Sequence, residues 1–181
     1  MGELDLPRLV REIREQYALP WMGLHGVGHW ARVYENGLRL APATEADVSL
    51  LLLFALFHDA CRTNEGWDPG HGRRGAEMAA GLRGRIFELR PNDFDLLYHA
   101  CARHTDGLTD GDPTVQTCWD ADRLDLPRAG IRPTPARLCT SAARLDETIA
   151  WATDRSLRRV VPALVEQDWA EAPGVPGEGA A

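Results

Sequence analysis

VSLLLLFALF, residues 48–57, runs directly into His58-Asp59-Ala60-Cys61-Arg62. A span of the bilayer needs roughly 20 apolar residues. This run is far shorter, so it reads as a core helix, buried on most sides and extending to about Cys61. Its C-terminal end carries His58 and Asp59. Burying a charged Asp beside such a run costs several kcal/mol unless something compensates it. A metal ion is the simplest compensation. Successive helix residues point about 100° apart, but an imidazole reaches further than a carboxylate, so both side chains can converge on one ion.

The flanking segments also read as helices. Residues 7–17 place Leu9, Val10, Ile13 and Tyr17 on one stripe, with Pro7 in the first turn. A second helix is predicted from about Gly28 to Leu40, ended by Pro42. Thr44 is the expected N-cap of the apolar helix, with Glu45 and Asp47 in its first turn. Residues 64–70 are a loop by their turn residues. Further helices are predicted over 71–83, over 93–104 with Asn92 as cap, over 113–126, and over 140–155. Residues 105–113 and 131–138 read as polar or irregular connections. No alternating stretch is long enough for a strand, and there is no repeat. The expectation is an all-α helical bundle with a single core. Residues 1–20 would pack a helix on it, residues 21–160 would form the main domain, and residues 170–181, nearly all Ala, Gly, Pro and Glu, would be a disordered tail.

The 181 residues suit one domain, and 44% apolar content suits a globular one. Twenty basic against 27 acidic residues give a net charge of −7. That argues against binding of a nucleic-acid polymer or an anionic membrane. A small phosphorylated ligand needs only a local positive site. Every basic residue is arginine, so Schiff-base lysine chemistry and a Walker-type lysine are excluded. The first 20 residues lack a signal-peptide core, and Cys61, Cys101, Cys118 and Cys139 form no CxxC pair. A cytoplasmic protein with reduced thiols is expected.

The six histidines all lie between His25 and His104. His25-Gly-Val-Gly-His29 has the i, i+4 spacing of a zinc-protease helix, but Gly26 stands where that motif has glutamate. Glycines there also weaken a helix by about 1 kcal/mol each. His29 is therefore placed at a helix start, while His25 falls in the preceding turn, as a supporting group or a ligand. His71 opens a helix after a loop. His99 and His104 are turned about 140° apart, so both reach one site only if their helix stops near His104. In WDADRLDL, residues 119–126, Asp122 and Asp125 share a helix face beside a buried side, and Asp120 points elsewhere.

Taken in order, His29, His58-Asp59 and Asp122 resemble the metal-binding signature of the HD-domain superfamily of metal-dependent phosphohydrolases. HWARVYENG resembles the first family helix, LFALFHDACR its HD helix and DADRLD the helix of the last aspartate, so the likeness covers about residues 21–126. It implies an HD-domain helical bundle with a divalent ion on His29, His58, Asp59 and Asp122. A second ion is implied on His71, in a His-x-x-x-Gly context ending at Gly75, and on His104 and His99. Asp59 would bridge the two. Mn, Fe, Zn, Mg, Co and Ni are not distinguished. HTDG at 104–107 is similar to a segment of the HD-GYP phosphodiesterases, but the GYP element and the adjacent histidine pair are missing.

The implied activity is hydrolysis of a phosphomonoester or phosphodiester, in a nucleotide or another small phosphorylated metabolite. Asp59 takes part at the ion, Arg62 grips phosphate by its guanidinium fork, and Asp106 exchanges a proton with the leaving group. Arg73 and Arg74 are weaker phosphate candidates. The family also offers a mixed-valent di-iron oxygenase and a non-catalytic nucleotide-binding module. The residues name neither substrate nor oligomeric state.

Overall fold

The computed structural model describes residues 4–167 and 169. Its helices are α1 (Leu6–Gln16), α2 (Val27–Thr44), α3 (Val48–Phe57), α4 (His71–Leu82), α5 (Pro91–Arg103), α6 (Pro113–Arg123), α7 (Asp146–Leu157) and α8 (Ala163–Gln167). Two 3-10 turns, Leu126–Ala129 and Pro135–Arg137, lie between α6 and α7. There is no strand among the described residues. The proposed tail at 170–181 lies outside them.

A helix without a polar face must be surrounded, and α3 is. Leu50, Leu51 and every residue from Leu53 to Phe57 are buried, and α2, α4, α5 and α6 all pack on it. The amphipathic α1 adds Leu9, Val10 and Ile13 to the same core. Tyr17, Trp21 and Trp30 meet edge to face, with centroids 5.1 to 5.9 Å apart, and fasten the connection after α1 onto α2. A satellite cluster of Leu40, Leu124, Leu138, Ala143 and Ala152 sits beneath α7. Among the described residues, no helix is long and apolar enough to cross a membrane.

Several boundaries differ from those expected. Pro42 lies inside α2 rather than ending it. The proline forfeits one amide, but the next turn closes past it through Glu45 N–H to the Ala41 carbonyl at 2.8 Å. The stop comes at Glu45, whose left-handed φ of 56° turns the chain. Thr44 is the last residue of α2 and not a cap for α3. Asp47 is that cap, accepting the Ser49 and Leu50 amides at 2.8 and 3.2 Å. Helix α3 stops at Phe57, and His58 to Cys61 form a turn. Asn92 falls inside α5, which opens on Pro91. Helix α7 begins at Asp146, because the chain at 139–140 is tied instead to the Asp120 carboxylate.

The α3–α4 crossing depends on Gly75. A Cβ there would collide with the Phe57 carbonyl oxygen, in the turn that presents His58. Gly75→Ala should therefore destabilise the protein by about 1–3 kcal/mol through overpacking, seen as a lower urea midpoint. An unchanged midpoint would show that the crossing can widen freely.

Candidate metal centre

Four histidines converge from four helices, and each is aimed by its Nδ1 atom. His58, just past α3, directs Nδ1 at the Phe54 and Ala55 carbonyls, both at 3.1 Å. His71, opening α4, directs it at the Asp68 carbonyl at 2.6 Å. His104, closing α5, directs it at the Cys101 carbonyl at 2.8 Å. His29, in the first turn of α2, uses the Asp125 carboxylate at 2.8 Å. Carbonyl and carboxylate oxygens only accept, so each Nδ1 carries the hydrogen and each neutral ring offers a bare Nε2 lone pair. Those lone pairs face each other across 3.0 Å in both the His29–His58 and the His71–His104 pair. Facing lone pairs at that distance call for a cation between them. A backbone or carboxylate partner on the far nitrogen is the usual support of a metal-binding histidine.

Asp59 joins the two pairs. Its Oδ2 lies 3.6 Å from His29 Nε2 and 3.8 Å from His58 Nε2. Its Oδ1 lies 3.0 Å from His71 Nε2 and 3.7 Å from His104 Nε2. Asp122 Oδ1 completes the first group, 3.5 Å from His29 Nε2 and 3.8 Å from His58 Nε2. The donor atoms thus form two groups that can each hold an ion, His29–His58–Asp59 and Asp59–His71–His104. Asp59 Oδ1 is buried without a hydrogen-bond donor. An orphaned carboxylate oxygen among imidazole nitrogens fits a second ion. Mixed nitrogen and oxygen donors suit first-row divalent metals.

The electrostatics at His29, His58, Asp59 and Asp122 agree with this donor set. Burial pushes His58 down to about 3 and also lowers His29, with Arg128 adding to the effect. Both are thereby kept in the neutral, ligating form. Burial opposes ionisation of Asp59, but the surrounding His58, His104, His71 and His29 outweigh it and hold the carboxyl well below its usual range. Asp122 is lowered in the same way, with burial again overcome by the neighbouring imidazoles. Burial lowers His104 too, but the Asp59 and Asp122 carboxylates beside it outweigh that and move it upward.

The other predicted residues divide. Arg62 lies at the rim, with Nη1 3.2 Å from His71 Nε2 and Nη2 donating to the Gly66 carbonyl at 2.7 Å. His25 is buried on the cleft wall, with Nδ1 against the Glu65 carboxylate. Two expected site residues are not at the centre. His99 lies on the exposed face of α5, its ring 5.7 Å from that of Trp119. Although α5 ends at Arg103, the turn between His99 and His104 is already complete, so only His104 faces inward. Asp106 is exposed and paired with Arg103 at 2.8 Å, outside the cleft lining. Arg73 pairs with Glu77 on the surface, and Arg74 binds Asp68 and the Cys61 carbonyl. Asp120 is structural, accepting the amides of Cys139 and Thr140 at 2.6 and 2.8 Å.

Two further residues at the centre were not among the expected site residues. Asp125 receives His29 Nδ1 and both Nε and Nη2 of Arg32, at 2.8 and 3.0 Å. Its shared helix face with Asp122 was the available signal. Arg128 places Nη2 3.0 Å from His29 Nε2 and donates Nη1 to the Asp125 carbonyl at 2.8 Å. It rides on the Leu126–Ala129 turn, whose Arg128 amide and Asp125 carbonyl are both bound by the buried Ser156 hydroxyl at 2.9 Å. No local pattern announces that turn. The whole centre opens into a cleft of about 580 Å³.

Two ion-holding groups that share one carboxylate, inside an all-α bundle, define a metal-centred helical domain. The HD domain family profile matches residues 26–126, and the chain belongs to the HD domain family. A crystal structure of a predicted HD superfamily hydrolase from an uncultured Thermotogales bacterium is similar at 26% identity, covering 85% of this chain and 86% of that one, with a TM-score of 0.60. No curated protein sequence matches significantly.

Removing the support of His29 should weaken the centre without removing a ligand. Asp125→Asn is expected to lower divalent-metal affinity by about 10- to 100-fold, measured by chelator competition. His99→Ala should leave that affinity unchanged.

Proposed function

We propose that this protein is a metal-dependent phosphohydrolase acting on a small phosphorylated molecule. The observation that carries the reading is Asp59, one carboxylate turned to both histidine pairs by its two oxygens. His29, His58, Asp59 and Asp122 would hold one divalent ion, and Asp59, His71 and His104 the second. When bound, such ions act as Lewis acids and make water nucleophilic at neutral pH.

The chain's own groups then have distinct tasks. Arg62 and Arg128 stand at the two histidine pairs, 3.2 Å from His71 Nε2 and 3.0 Å from His29 Nε2. Their guanidinium forks suit the oxygens of a phosphoryl group held at the centre. His25 engages Glu65 through Nδ1, which leaves Nε2 as its free ring nitrogen. In this reading His25 Nε2, and not the outward-turned Asp106, exchanges a proton with the leaving group. The wall of α2, α3 and α6 behind the ligands excludes bulk water: His29, His58 and Asp59 are nearly inaccessible.

The arginines at the rim favour phosphate chemistry over oxygenation, and the complete ligand set favours catalysis over a binding module without turnover. Purified protein loaded with Mn, Fe, Zn, Mg, Co or Ni should release phosphate from a phosphoester panel with at least one metal. Asp59→Ala should lose both metal retention and activity, by 1,000-fold or more in kcat/KM. Iron-dependent oxygen uptake without phosphate release would replace this reading with the oxygenase one. Wild-type metal content in Asp59→Ala would overturn the site.

A further inference from the structure

The cleft is lined by five arginines, Arg62, Arg123, Arg128, Arg132 and Arg137. Among the described residues its only lining carboxylates are Asp59 and Asp122, both within the candidate ligand set. This concentration of positive charge lies in a chain whose net charge is −7. We infer that the substrate carries two anionic groups: the scissile phosphoester at the ligand cluster, and a remote phosphate or carboxylate bound by Arg132 and Arg137. The inference rests on the phosphohydrolase reading and narrows its substrate class.

The five arginines differ in how they are used. Arg62 and Arg128 touch ligand nitrogens, as described above. Arg123 is committed to the fold, donating to the Arg137 carbonyl at 3.0 Å and to the Leu108 carbonyl at 2.7 Å. Arg132 and Arg137 are exposed, and neither guanidinium has a hydrogen bond or ion pair among the described residues. Elsewhere, surface arginines do find carboxylates: Arg73 with Glu77, Arg90 with Asp93, Arg158 with Asp154. Among the described residues, exposed guanidinium groups without a partner also occur at Arg8, Arg11 and Arg159, but Arg132 and Arg137 are the two such groups that line this cleft.

A single phosphoryl group does not use them. Its charge would be met at the ligand cluster by Arg62, Arg128 and the ions. The volume of about 580 Å³ also falls within the roughly 300–1,000 Å³ typical of sites for whole small molecules. The segment bearing both arginines is stiffened at Pro133 and Pro135 and is held to α6 by Arg123. A stiff support lowers the ordering cost of binding a remote anion. Leu126 and Ile131, on the same wall, offer apolar contact to the body that joins the two anionic ends.

The test uses two pairs of phosphomonoesters that differ in a remote anion. Adenosine 3′,5′-bisphosphate is compared with adenosine 5′-monophosphate, and 2-phosphoglycolate with ethyl phosphate. Metal-loaded wild type should favour the doubly anionic member of at least one pair by tenfold or more in kcat/KM. In the Arg132→Gln/Arg137→Gln double variant that preference should shrink at least tenfold, with the loss in KM. A response in the first pair alone assigns the subsite to phosphate, and in the second alone to carboxylate. No preference in wild type, or one that survives in the variant, overturns the inference. Calorimetry on chelator-treated, metal-free protein separates the two readings. If no compound is hydrolysed, the phosphohydrolase reading fails. Tighter binding of the bisphosphate than of the monophosphate, abolished in the variant, would still uphold the two-anion subsite. Equal affinities in wild type would overturn it.

Discussion

A buried carboxylate governs this molecule. Asp59 is 2% exposed and follows the most apolar helix in the chain. An uncompensated charge there would cost several kcal/mol. Around it gather Arg62, a cation at the rim, and four imidazoles whose Nε2 atoms would hold a compensating metal ion against it: His58 from the same turn, His29 from α2, His71 from α4 and His104 from α5. The apolar body of α3 draws four helices around itself, and those helices carry the groups that make the charge at its end tolerable. Core and centre are one construction.

The four histidines are not held alike. In His58, His71 and His104 the aiming oxygen is a main-chain carbonyl three or four residues earlier, so each ring is oriented by the backbone next to it. His29 instead relies on Asp125, 96 residues away, which Arg32 and the Ser156-braced turn hold in place. One pair of rings is thus locally determined, while the other depends on long-range assembly of α2, α6 and α7.

The same division explains what could be read from residues alone. The run at 48–57 and the dipeptide after it carried the helical class and a buried His58-Asp59 pair, because burial is a property of short segments. His29 and Asp122 came from the ordered likeness to the HD superfamily signature, and the structure brings all four side chains together. His99 and Asp106 were misplaced because inward orientation depends on where α5 ends and on the competing partner Arg103. Pro42 misled because a proline's cost near a helix end is small when the following amide still closes the turn. Arg128 was invisible: it reaches His29 only through a 3-10 turn fixed by a serine on a distant helix.

Residues 126–138 differ in kind from the rest of the cleft. Ligands sit on or at the ends of long helices packed into the core, whereas Arg132 and Arg137 sit on irregular chain and a three-residue turn. Irregular surface segments tolerate insertion and deletion far better than packed helices do. Its length and side chains can therefore drift while the ligand helices stay fixed. On the two-anion reading, reaction and selectivity are then separately evolvable: this short wall can be remodelled without moving the six candidate ligands.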